Sequence, residues 1–293
     1  MVSGYLLACI TILVWGLVVI PVKATRTPGH LGIAISMPAG VLGLIVAALL
    51  FHTPMPKLDE MVSLRGLLLV LSGIFQFPLG TILYYEAIRC SDVSEAVPVT
   101  RLKTIFVVAL AALLAIDQVT WLLVAACLVG IAGAFILVRP SAAPEGQPRP
   151  PLARGILFAL LAAVSWALGD VFMRLVLDHF APAAATLLSL VCGAAVYLVI
   201  LGIKGLLPQV LRMPRRDKWL YATHGILSFA IGYLTFYAAM QQIGVVAASI
   251  LTSTWPAISF VVGLALYRES ISLRKIIGFS LLMGSVFLLV AGR

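Results

Sequence analysis

Ten apolar runs, each about the length of a membrane crossing, leave this chain little choice of fold. Cut at polar and Pro/Gly-rich gaps, they span 3–22, 31–51, 64–87, 94–115, 120–138, 154–177, 183–203, 218–240, 245–266 and 273–291. A hydrocarbon core about 30 Å thick is crossed by roughly 20 helical residues. Inside it every backbone N–H and C=O needs a partner within the protein, so only helices and closed barrels cross. Uninterrupted runs exclude the alternation of barrel strands. The expectation is an all-α polytopic membrane protein with ten transmembrane helices. Composition agrees, with 62% hydrophobic and 11% charged residues and a mean hydropathy of +1.13, where soluble domains carry about 25% charged residues.

The gap "RPSAAPEGQPRPPLA", residues 139–153, is too rich in proline and small polar residues to continue a helix, and it falls near the midpoint as a linker. The two sides match. A shift of 151 or 152 positions puts Trp15 on Trp166, Lys23 on Arg174, Tyr85 on Tyr237, Thr100 on Thr252, Asp117 on Glu269 and "FILV" (135–138) on "FLLV" (287–290). Such a register indicates an internal repeat, with five-helix units at 3–138 and 154–291. An odd number of crossings per unit makes the repeats inverted, an arrangement that secondary transporters build around a central cavity.

Most of the 20 Lys and Arg residues lie in the gaps after the odd-numbered runs: Lys23 and Arg26; Arg89; Arg139, Arg149 and Arg154; Lys204, Arg212, Arg215, Arg216 and Lys218; Arg268, Arg274 and Lys275. The positive-inside rule makes those gaps cytoplasmic and both termini extracytoplasmic in a plasma (inner) membrane. The start, MVSGYLL, lacks the basic n-region of a cleavable signal, so the first run is expected to remain. The net charge of +9 is spread over these gaps and not massed on one face, which argues against nucleic acid. Cys9, Cys90, Cys127 and Cys192 are far apart, with no disulfide or metal spacing. His30, His52, His179 and His224 are dispersed, mostly at run edges, and no HExxH, P-loop or G-x-S-x-G is present. No enzyme, cofactor or metal site is expected.

The fourth run, "SEAVPVTRLKTIFVVALAAL" (94–113), carries Arg101 and Lys103 inside it. Each such cation costs about 2.5–3.5 kcal/mol at a helix centre on insertion scales. Two explanations stand. The cations neutralise nearby acids, Glu86, Glu95 or Asp170, and hold helices together; or at least one lines a wet cavity and binds an anionic substrate group. Arg101, with its planar fork, is the better clamp. In a continuous helix Arg101 and Lys103 point to nearly opposite faces, so a single cavity receives only one of them in the same way. The same three acids are candidates for proton coupling. The matching stretch of the ninth run, "SILTSTWPAISF" (249–260), holds Thr252, Ser253 and Trp255 and has no cation, so the site is asymmetric. Thr100, Tyr85, Tyr237, Trp15 and Trp166 complete the candidate substrate wall. Pro78, Pro98 and Pro256 are candidate hinges, because a proline frees a carbonyl and bends a helix.

Ten runs in two halves, with each fourth run closing on an acid in "LLAIDQVT" (113–120) and "LALYRESIS" (264–272), resemble the EamA branch of the drug/metabolite transporter superfamily. That family typically has a Leu-Gly-Glu at this position, and Asp117 departs from it. The resemblance covers nearly the entire chain. It implies alternating-access movement of small solutes such as amino acids, nucleobases, sugars or organic anions, often as export or exchange, and no catalytic residues. Partners implied are a small-molecule substrate and the lipid bilayer, with the chain as monomer or homodimer. A flippase for lipid head groups would instead need a lateral opening, and a passive channel a continuous pore.

Overall fold

The structure, a computed structural model, describes residues 2–90, 99–137, 152–267 and 273–292. Among these, all regular structure is helical. In chain order the main helices are α1 (Val2–Leu17), α2 (Gly29–Leu50), α3 (Leu64–Ile74), α4 (Gly80–Cys90), α5 (Lys103–Leu113) and α6 (Trp121–Leu137) in the first half. The second half holds α7 (Leu152–Val176), α8 (Pro182–Ile203), α9 (Arg215–Gly225), α10 (Tyr233–Thr252), α11 (Trp255–Tyr267) and α12 (Leu273–Ala291). Among the described residues, seven stretches are long and apolar enough to cross a membrane: Val2–Val22, Gly29–Leu50, Leu64–Cys90, Arg154–Val176, Pro182–Ile203, Arg215–Thr252 and Leu273–Ala291. Shorter apolar helices lie in the fourth, fifth and ninth runs. The protein is an integral, multi-pass membrane protein.

The third and eighth runs are each interrupted at their centre by a π-helical turn, Phe75–Leu79 between α3 and α4 and Ile226–Gly232 between α9 and α10. A π turn leaves carbonyls poorly served by their own helix, and side chains of the other half serve them. Ser165 Oγ donates to the Phe75 carbonyl (2.7 Å) and Trp15 Nε1 to the Ser228 carbonyl (3.3 Å).

The fourth and ninth runs are not continuous helices, which corrects the expectation of an unbroken 94–115 segment. Residues 101 and 102 form a turn ahead of α5, with i to i−3 hydrogen bonds from Leu102 N to Val99 O (3.1 Å) and Thr104 N to Arg101 O (3.3 Å). The ninth run tightens in the same place: Thr254 N donates to Leu251 O (3.1 Å), 152 positions after the Leu102–Val99 bond, and Ala257 N donates to Thr254 O (2.9 Å). Pro256 therefore sits in the first turn of a new helix, where its missing N–H costs nothing, and does not bend an intact one. Pro78 lies inside the first π turn; Pro98 lies outside the described residues. The 38-residue stretch Arg215–Thr252 is broken at Gly244 (φ 77°, ψ 161°), so it contains the eighth run and the first turns of the ninth.

The largest helix contacts join the halves. α1 packs on α10 and α11, and α7 packs in the equivalent way on α4 and α5; α2 packs on α9, α8 on α3, and α6 on α12. Close approach rests on glycines at matching positions. A Cβ on Gly73 would stand 2.2 Å from the Ser189 carbonyl oxygen, and one on Gly225 would stand 2.0 Å from that of Ser36. Small residues let helices approach to backbone contact where lipid supplies no hydrophobic drive.

Candidate substrate-binding site

A central cavity of about 290 Å³ lies where the four irregular segments converge. Each supplies a lining residue: Gln76 and Ser228 from the π turns, Arg101 and Ser253 from the two broken helices. Local backbone irregularity at mid-membrane depth is tolerated where it lines a cavity or is served by protein groups, and both conditions hold here.

Arg101 and Lys103 line the same cavity. The expectation of opposite faces fails because the chain between them is wound more tightly. At about 120° per residue the two positions lie about 120° apart, against about 160° in an α-helix. Their surroundings differ. Lys103 Nζ stands 2.7 Å from Oδ2 of Asp170, whose side chain is completely buried. The Gln76 amide completes that group. Oriented with nitrogen toward the acceptors, it donates to Asp170 Oδ1 (3.1 Å) and the Trp166 carbonyl (3.0 Å) and accepts from the Tyr233 hydroxyl (2.8 Å). Arg101 has no carboxylate partner among the described residues. Its guanidinium lies over the Trp255 indole, 4.4 Å from the ring centroid, and its Nε is buried without a hydrogen bond.

The remaining expected residues divide. Trp15, Trp166, Thr100, Thr252, Ser253 and Trp255 line the cavity; Tyr85 and Tyr237 do not. Tyr85 instead packs near His30 and Gly29, and Tyr237 is fully buried among Tyr233 and Phe236. The hydroxyls of Thr252 and Ser253 bond back to their own helix, at Ala248 O (2.8 Å) and Ile250 O (2.6 Å). Glu86 pairs with Arg89 three residues on and not with Arg101 or Lys103; Lys103 pairs with Asp170. Glu95 lies outside the described residues.

Sequence reasoning passed over Gln76, Ser228, Tyr233, Ser249 and His224, all of which line the cavity, as does Tyr84, the neighbour of Tyr85. His224 is not an edge residue: its Nδ1 lies 3.1 Å from Ser36 Oγ, next to the Phe229 ring. The readable signal was Gln76 and Ser228, polar residues in apolar runs at matching positions of the repeat.

Past the cavity the packing is dry. Tyr237, Met240, Ile243 and residues 245–248 are all buried. Polar ties close the same end: Ser3 Oγ contacts Gln242 Oε1 (2.5 Å), Gln241 Nε2 donates to Leu177 O (2.5 Å), and Arg174 bridges to Asp178 (2.7 Å).

The sequence profile of the EamA-like transporter family matches residues 2–139 and again 153–291. The chain belongs to this family. Relatives include an uncharacterized transporter of Clostridium kluyveri, 23% identical over 74% of this chain and 70% of its own length. An uncharacterized transporter of Archaeoglobus fulgidus is 23% identical over 99% of both chains. A solved structure described as "Crystal structure of protein" superposes with a TM-score of 0.80 at 20% identity, over 99% of this chain and 98% of the other, which is a likeness of fold. In this EamA-like protein the acid that closes the fourth run has a definite place. Asp117 Oδ2 accepts from the Val246 N–H (3.0 Å) at the start of the ninth run, and the absent side chain of Gly244 makes room for the carboxylate.

Proposed function

We propose that this EamA-like protein is a secondary transporter of a small metabolite bearing a carboxylate, sulfonate or phosphate, held in the central cavity by Arg101. The observation that carries the reading is the state of Arg101: a cation inside the membrane, on the cavity wall, stacked on Trp255 and without a carboxylate partner among the described residues. A desolvated cation with free donors is stabilised by an anion that accepts two of them. Trp15, Tyr84, Trp166, Phe229, Tyr233 and Trp255 give the walls an aromatic character suited to the less polar body of such a solute.

Alternating access is supported by the closed, dry end beyond the cavity, which a continuous pore would lack. Val18 near the end of the first run, Tyr84 near the end of the third and His224 near the start of the eighth carry the lining away from that end. They lead toward the basic, odd-numbered gaps, which the positive-inside rule makes cytoplasmic. This supports a cavity loaded from the cytoplasm, as export or exchange across the plasma membrane requires, with both termini extracytoplasmic.

The test is ligand binding followed by transport. Purified protein is screened by thermal shift against carboxylates, sulfonates and phosphates, since a ligand that binds only the native state raises the melting point. Arg101→Ala is expected to remove both the shift and transport into proteoliposomes while the protein stays monodisperse. Transport by Arg101→Ala at unchanged affinity would overturn the proposal.

A further inference from the structure

Arg101 accounts for one of the two cations on the cavity wall and leaves Lys103 unexplained. The Lys103 side chain lines the cavity and is 20% exposed, whereas its partner Asp170 has no exposed side-chain surface. The other half does without the pair: the repeat register places Trp255 opposite Lys103 and Val19 opposite Asp170. Buried ion pairs are commonly replaceable by apolar residues without loss of stability. A fold that has an apolar version of this position and still carries the charges uses them for something other than packing.

We infer, on the basis of the anion reading above, that Asp170 is a proton site coupled to substrate. When the Lys103 ammonium passes a proton to Asp170 and regains one from cavity water, one N–H bond breaks and re-forms, an O–H bond forms on the carboxylate, and Lys103, again with three protons beside a neutral acid, is released to face the anion beside Arg101. The charge balance favours this. The empty site, with Arg101, Lys103 and the Asp170 carboxylate, has one net positive charge; loaded with one proton and one monoanion it has the same. Both forms then cross the cycle at similar electrostatic cost, and one proton moves with each anion.

Gln76 is built for both protonation states. Facing the carboxylate, its nitrogen donates to Oδ1 and its oxygen accepts from Tyr233. Turned over, its oxygen accepts from a protonated Asp170 while its nitrogen donates to the Tyr233 hydroxyl, 2.8 Å away. The turn replaces the contact to the Trp166 carbonyl with an approach of two oxygens at 3.0 Å, a cost that the bond from the protonated acid offsets. The other titratable groups on the surrounding elements are two phenols, a paired carboxylate and one imidazole. Tyr233 and Tyr237 on α10 are phenols, Glu86 on α4 is engaged by Arg89, and His224 across the cavity contacts Ser36. Lys103 is the cation within ion-pair distance of Asp170 among the described residues.

The probe is benzenesulfonate, a strong-acid anion that brings no proton of its own. Bound to the purified wild-type protein, it is expected to take up one proton per anion from weakly buffered solution. Its Kd should fall by up to about tenfold per unit as pH is lowered. The infrared difference spectrum of binding should gain a carboxylic-acid carbonyl band. Asp170→Asn, fixed in the neutral form, should bind with a Kd independent of pH and without that band. The wild-type measurements decide the matter alone if the variant does not fold. Binding without proton uptake or band overturns the proton site and leaves the anion reading standing. No binding to the wild type at any pH overturns both.

Discussion

Asp117 and Val246 belong to different halves of the chain, yet the carboxylate of one accepts the backbone N–H of the other at 3.0 Å. The acid that ends the fourth run thereby caps the helix that begins the ninth. Arg174 lies 3.9 Å from the same carboxylate and is itself bound to Asp178. The ends of three runs, the fourth, the sixth and the ninth, are thus tied at the closed end of the cavity.

Loss of that cap has a calculable effect. Removing a capping side chain costs about 0.5–2 kcal/mol, so Asp117→Ala should lower the melting temperature in detergent, while Asp117→Asn, which still offers an oxygen, should retain most of it. Gly244→Ala should be worse than either. The new Cβ falls 2.6 Å from Asp117 Oδ2, at a backbone angle that side chains rarely adopt. A wild-type melting curve for Asp117→Ala would mean that the cap does not hold this end.

Glycine contacts between the halves predict a graded series. At Gly73 and Gly225 a Cβ would meet a facing carbonyl at 2.2 and 2.0 Å, and overpacking of this kind costs about 1–3 kcal/mol. Gly284, inside α12, has nothing within 4 Å of its added Cβ, so Gly284→Ala should be neutral or stabilising by about 0.5–1 kcal/mol through helix propensity. Thermal melting of the three single variants tests the order.

Trp255 lies beneath Arg101, the proposed anion clamp. Replacing it by leucine keeps an apolar surface but removes the ring under Arg101, an interaction of about 0.5–2 kcal/mol. Trp255→Leu should therefore weaken benzenesulfonate binding by about 2- to 30-fold, and Trp255→Phe by less, as read by calorimetry.

The acids differ in what they hold. Glu86 makes an i to i+3 pair with an arginine that is 69% exposed, and such pairs contribute about 0–1 kcal/mol. Glu86→Gln should leave the melting temperature within error. Asp170→Leu strands Lys103 beside an apolar wall and should cost about 3–5 kcal/mol. Equal losses in the two variants would contradict the pairing seen here.

The membrane class, the all-helical fold and the repeat were legible in the sequence because each rests on local composition or on a shift of fixed length. The matched π turns, the matched helix breaks and the glycine pairs all obey the register that Trp15/Trp166 and Asp117/Glu269 announce. Arg101 and Lys103 were conspicuous for a similar reason, since charge in an apolar run stands out against its neighbours.

Only the tertiary structure decided how those cations are used. The tight turn at residues 101 and 102 itself contains neither proline nor glycine. The acid that answers Lys103 is 67 positions away, on a helix of the other half. Interleaving of the halves brings Ser165 to the carbonyl of Phe75 and Trp15 to that of Ser228. A backbone irregularity in lipid survives only when a distant group satisfies it, so its position depends on the assembled fold.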